Sequence, residues 1–158
     1  MIDYRGKTVI KGQQELRCGY TTGTCAAAAA KAAAVTLLSG EICRDVSLQL
    51  PGGEHIILET EFLECSENCV KYGMIKDAGD DPDITNGLLI CAAVEKTEGE
   101  TILIDGGMGV GRVTKPGLDQ PVGAAAINSV PRKMIHEAVE DVRRQYAWEK
   151  GLKVTVFI

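Results

Sequence analysis

Residues 26 to 34 are alanine at eight of nine positions, interrupted only by Lys31. Alanine is the strongest helix former. Thr21-Thr22-Gly23-Thr24 ahead of the run and Ser39-Gly40 behind it supply a polar start and a glycine stop. The sequence therefore predicts a helix over 22–38. With methyl groups on every side it offers little side chain to interdigitate, so neighbouring backbones must come close. Such a helix belongs at the centre of a fold, wedged against a sheet.

The rest of the chain supplies that sheet. Asp45–Leu50 alternates apolar and polar residues, and Pro51-Gly52-Gly53 turns it into Ile56–Leu63, a hairpin pattern. Cys69–Ile75, Gly87–Lys96 and Thr101–Asp105 read as further strands, the last two joined by a turn at Glu98-Gly99. From Gly106 to Gly123 six glycines and two prolines forbid regular helix and predict a long constrained loop. Ser129-Val130-Pro131 opens a second helix, about 130–147, with Met134, Ile135, Ala138, Val139, Val142 and Tyr146 along one face. Lys150-Gly151 stops it, and Leu152–Ile158 is a final strand. Strands between two helices, with hairpins among them, predict an α+β fold: a mixed sheet packed against both helices, in a single domain over 1–158. The last strand ends without a turn residue or polar tail, a pattern that also fits a chain cut at a domain edge.

Seventeen basic residues against 22 acidic give a net charge of −5, which excludes general attraction to nucleic acid or to anionic membrane surfaces. The longest apolar run is mostly alanine and too weakly hydrophobic to span a bilayer. Charged residues through the first twenty positions leave no room for a cleavable leader, so a cytoplasmic protein is expected. The six scattered cysteines lack the paired spacing of a zinc site, and reduced, partly buried thiols are expected rather than a metal centre or a disulfide framework.

Three segments carry candidate chemistry. Gly19-Tyr20-Thr21-Thr22-Gly23-Thr24-Cys25 leads into the alanine helix, where unpaired amides, hydroxyls and a glycine make a site for a carboxylate or phosphate. Simple capping is the alternative reading of the same residues. Cys25, in the first turn, is conceivable as a nucleophile, which would make the protein a hydrolase. Lys76-Asp77-Ala78-Gly79-Asp80-Asp81-Pro82-Asp83 packs four carboxylates into a forced turn that suits a cation or an amine, or is simply a solvated acidic turn. Ile102-Leu103-Ile104-Asp105-Gly106-Gly107-Met108-Gly109-Val110-Gly111 has the glycine spacing of the loop that S-adenosylmethionine and dinucleotide folds use. However, Arg112-Val113-Thr114-Lys115-Pro116-Gly117 cannot continue it as a helix. Gly107, Gly109 and Gly111 are its candidate cofactor contacts, and Arg112 and Lys115 suit an anionic ligand.

Together these segments, with Pro121-Val122-Gly123 and Val130-Pro131-Arg132 following in order, closely resemble the CbiD family, the cobalt-precorrin-5B C1-methyltransferases of anaerobic cobalamin biosynthesis. Family members are longer, with a second half whose glycine-rich segments are not found here. The resemblance therefore implies the N-terminal part of such an enzyme. It implies methyl transfer from S-adenosylmethionine to ring carbon C1 of a cobalt tetrapyrrole rich in acetate and propionate arms. On this reading Thr21, Thr22, Gly23 and Thr24 grip substrate carboxylates with help from Arg112 and Lys115. Asp80 or Asp81 faces the methyl donor or assists proton movement. The rival expectation is a non-catalytic domain that only docks a tetrapyrrole or a partner.

Overall fold

The computed structural model describes residues 8–17, 19–80 and 82–158. In chain order these form β1 (Thr8–Lys11), β2 (Gln14–Arg17), α1 (Thr22–Ser39), β3 (Asp45–Gln49), β4 (His55–Glu59), β5 (Glu61–Cys65), β6 (Cys69–Ile75), β7 (Leu89–Lys96), β8 (Ile102–Gly106), α2 (Ser129–Gln145) and β9 (Leu152–Phe157). Two helices on mixed sheets make this the expected α+β architecture.

Helix α1 begins where Thr21 leaves the helical region at φ −79°, ψ 161°, and its hydroxyl accepts the Thr24 amide at 3.0 Å. The helix stops at Gly40, whose φ of 79° lets its amide reach the Thr36 carbonyl at 2.8 Å. Every alanine from Ala26 to Ala34 is buried. The helix lies against β6 and β7 on the sheet and against α2 beside it. Closeness follows from the missing side chains. At Gly23 even a methyl group would sit 2.7 Å from Pro131 Cβ of α2.

Three sheets result. Strands β1–β2 and β3–β4 are antiparallel pairs, and the third sheet runs β5-β6-β7-β9-β8, with only β8 parallel to its neighbour. Val70 and Tyr72, Ile90, Ala92 and Val94, and Leu152, Val154 and Val156 turn one face of it inward onto α1 and onto Ile135, Val139 and Val142 of α2. The Tyr72 hydroxyl, 2.6 Å from that of Thr36, also accepts the Cys43 amide at 2.9 Å, which ties the end of α1 to the sheet.

The structure corrects one expectation and supplies a strand order that the sequence leaves open. The run Ile56–Leu63 is not one strand, because Thr60 divides it between two sheets: its amide and hydroxyl both bond the Arg44 carbonyl, at 2.8 and 3.3 Å. Apolar alternation continues through Ile56, Leu58 and the buried Thr60, so no break in pattern marks the switch. The Glu98-Gly99 turn joins β7 to β8 in sequence but does not pair them, since β9 inserts between. Gly151 makes room for this insertion, donating to the Gly99 carbonyl at 2.6 Å where a Cβ would lie 2.5 Å from Thr101 O. The β1–β2 hairpin, turning at Gly12, was not foreseen.

Replacing Ala29, with no exposed surface, by leucine should lower stability by at least about 1–3 kcal/mol, the usual cost of overpacking a dense core. Thermal denaturation checks it, and an unchanged melting temperature would show that α1 is less tightly held than its burial indicates.

Candidate functional site

The segment before α1 crosses the acidic turn at backbone contact. The Tyr20 amide donates to the Asp77 carbonyl at 2.7 Å, and a Cβ on Gly19 would overlap the Ala78 carbonyl carbon. Only glycine permits that approach. The turn is also tied to itself: Asp77 Oδ1 accepts the Gly79 amide and Asn86 Oδ1 the Ala78 amide, both at 2.9 Å.

At this crossing lies Lys76, only 3% exposed. Its ammonium donates to Thr22 Oγ1 at 2.9 Å, Asp83 Oδ2 at 2.6 Å and Thr85 Oγ1 at 2.7 Å. Thr85 in turn donates its proton to Asp83 Oδ1 at 2.6 Å. All three ammonium protons are therefore placed, as a buried charge requires. Hydrogen bonds from Lys76, then from Thr85, hold the Asp83 carboxyl well below the usual carboxylate range.

Beside Thr22 opens a cleft of about 220 Å³, lined among others by Thr22 and Gly23 of α1, Val110 and Ala126 of the long loop, Pro131 of α2 and Ile158 after β9. The start of α1 thus meets the long loop at one hollow, to which the segment Gly106–Lys115 brings Val110 and not Arg112 or Lys115. The two helix starts beside it differ. At α2, Asn128 makes no side-chain cap, and the Asp119 carboxylate takes the Ser129 amide at 2.6 Å. At α1 the Thr21 hydroxyl serves Thr24 alone among the described residues, while the amides of Thr22 and Gly23 come too early in the helix for an intrahelical acceptor. The open helix start in the cleft is that of α1. A second cavity, about 320 Å³, is lined among others by Tyr20, Leu58, Met74 and three acidic residues, Glu59, Glu61 and Asp77.

The other sequence candidates are placed as follows. Thr24 is buried, its hydroxyl 2.9 Å from that of Thr21, so both serve the cap. Arg112 is engaged by Asp105 Oδ1 at 2.7 Å and the Gly106 carbonyl at 2.8 Å, bracing the exit of β8. Lys115 is exposed on the loop and does not line the cleft. Beyond β8 the chain makes a turn and an isolated bridge, Arg112 to Ala125, with no helix. Gly107 and Gly109 face protein: Cβ atoms there would collide with the Phe157 ring and with the Ile158 carbonyl. Of the three, Gly111 has open space where a Cβ would lie. Asp80 is exposed in the acidic turn, and Asp81 lies outside the described residues. Cys25 is fully buried, and burial pushes its thiol up to about 12, which removes it as a nucleophile near neutrality.

Sequence reasoning missed Lys76 and Thr85 as partners of Thr22, and Arg132, whose guanidinium holds the Ile127 carbonyl at 2.6 Å and that of Ala125 at 2.9 Å. The one available signal was a lysine completing an apolar strand.

The CbiD family model matches residues 9–158. A cobalt-precorrin-5B C(1)-methyltransferase of Priestia megaterium is 49% identical over 96% of this chain and 41% of its own length. One from Thermosipho africanus is 48% identical over 92% of this chain and 40% of its own. The crystal structure of the cobalamin biosynthesis protein CbiD from Archaeoglobus fulgidus superposes with a TM-score of 0.68 at 29% identity, over 94% of this chain and 46% of that one. The chain thus spans about two-fifths of the length of the curated relatives it matches.

In iodoacetamide labelling at neutral pH, exposed Cys65 should react and Cys25 should stay unmodified until the protein is denatured; early label on Cys25 by mass spectrometry would contradict its burial. The Asp83 carboxyl titrates lower in the folded chain than unfolded. Its stabilising contribution is therefore complete above the unfolded value of about 3.9 and fades as pH falls below it. Over that acid range the wild-type melting temperature should fall more steeply than that of Asp83→Asn, and parallel profiles would refute a contribution from the Lys76–Asp83 pair.

Proposed function

The chain belongs to the CbiD family, and on that premise we propose that it is the substrate-gripping part of a cobalt-precorrin-5B C1-methyltransferase of cobalamin synthesis, its cleft receiving a carboxylate arm of the tetrapyrrole. The methyl group would come from S-adenosylmethionine, a sulfonium that donates methyl to an electron-rich ring carbon. Such a transfer needs no covalent nucleophile from the protein, which accords with the inert thiol at Cys25. What it needs is orientation and exclusion of water, and orientation alone supplies up to roughly 7–11 kcal/mol.

The observation that carries this reading is the shared cleft. An open helix start at Thr22 and Gly23, apolar walls from Val110 and Ile158, and a loop held by Arg112 and Arg132 meet at one mouth. At about 220 Å³ the cleft takes one arm and the adjoining ring edge, with the flat of the macrocycle lying over the surface around it. The second cavity, with Glu59, Glu61 and Asp77 in its lining, is the less suited of the two to a carboxylate.

Absorbance titration with cobalt uroporphyrin, which bears acetate and propionate arms, should show binding by this chain and little binding of its fully amidated counterpart. Ala126→Trp, which fills the cleft from an exposed position, should weaken binding at least about tenfold. Equal affinity of variant and wild type would sink the cleft assignment.

A further inference from the structure

The five-stranded sheet has two faces, and both helices pack on the same one. Side chains alternate along a strand, so the residues between those buried against α1 and α2 point the other way. Through the three central strands that outer face carries Gly73 and Ile75 of β6, Leu89, Cys91 and Ala93 of β7, and Phe157 of β9. Its charged residues leave this centre apolar: Glu95 and Lys153 stand opposite each other at one end, and the Lys71 ammonium lies over the Phe157 ring, 4.5 Å from its centroid. An antiparallel sheet that ends in water alternates apolar-in with polar-out, and this one does not. Among the described residues neither helix and neither two-stranded sheet packs on the outer side. Ile75 and, on β8, Leu103 are accordingly 55% and 53% exposed.

We infer that this outer face is an interdomain docking surface, and that its occupant is the portion of a CbiD chain that the present one does not match. The curated relatives carry about three-fifths of their length outside the match, and the Archaeoglobus fulgidus protein more than half. The size of the face favours that occupant over a second copy. Five strands about 4.8 Å apart, about six residues long at about 3.3 Å each, make a face of about 24 Å by about 20 Å. A partner laid on it buries about 1,000 Å² counted over both sides, within the roughly 600–1,500 Å² of contacts between domains of one chain and short of the roughly 1,600 Å² typical of separate proteins that stay bound. A covering layer here turns two layers into three, with the substrate cleft left open on the helical side. The inference is independent of what the cleft binds.

The test is lysine footprinting by acylation and mass spectrometry, on this chain alone and on a chimera in which it replaces the matched part of the Priestia megaterium relative, both first shown to melt cooperatively. Lys71 and Lys153, on the outer face, should react at least about fivefold more slowly in the chimera, whereas Lys133, 76% exposed on α2, should react equally in both. Ile75→Glu combined with Leu103→Glu, both at exposed positions, should leave the melting temperature of this chain alone unchanged and should restore the reactivity of both lysines in the chimera. If the chimera does not fold, the same footprint is read while the unmatched portion is titrated in as a separate polypeptide. Unchanged reactivity of Lys71 and Lys153 in whichever of the two is read would overturn the assignment. So would protection of these lysines in this chain alone that rises with its own concentration, because the occupant would then be a second copy.

Discussion

The distance between the backbone of α1 and whatever lies beside it governs the rest of the molecule. Over Ala26–Ala34 the helix buries methyl groups alone, and along that stretch no longer buried side chain keeps its neighbours away. Two glycines extend the same closeness beyond the alanines, Gly23 beneath Pro131 and Gly19 against the backbone at Ala78. Lift the helix by the thickness of one larger side chain and the 2.9 Å bond from Lys76 to Thr22 is lost. With it would go the shared edge between α1 and the long loop. Packing that looks like plain core filling is therefore what sets the geometry of a polar site at its end.

Within this acidic chain the site is built from neutralised charge rather than accumulated positive charge. Lys76 is matched by Asp83, Arg112 by Asp105. Arg132 commits its guanidinium to backbone carbonyls, and the start of α2 is occupied by Asp119. What this leaves at the cleft is a dipole, that of the first-turn amides of α1. Such groups present oriented partial charges among apolar walls without a strong field.

Much of this was legible from residues whose constraints are local. The caps and extent of α1, the alternation in β3 and β6, and the glycine-rich loop follow from rotamer freedom, turn chemistry and period, and all three stand where the sequence puts them. What the sequence hides is non-local. Nothing near Thr60 says that one extended run serves two sheets, and nothing near Glu98 says that a strand from about fifty residues on will separate β7 from β8. At the site, glycine spacing after β8 suggested ligand approach, whereas Gly107 and Gly109 make room for Phe157 and Ile158. Arg112 looked available because its partner, seven residues earlier, faces it only once the loop folds back. Lys76 was visible in its motif, but its burial beside Thr22 depends on a crossing between segments more than fifty residues apart.

The place of β9 sets an order of events. It bonds to β7 along one edge and to β8 along the other, and its leading residues follow Gly151 through a gap that only a glycine fits. During synthesis both flanking strands leave the ribosome well before the piece that belongs between them. Until Leu152–Phe157 arrives, each waits with an unsatisfied hydrogen-bonding edge, and the buried faces of α1 and α2 lack Val154 and Val156. A nascent chain of this kind invites pairing with strangers, and its protection depends on how quickly the keystone segment follows.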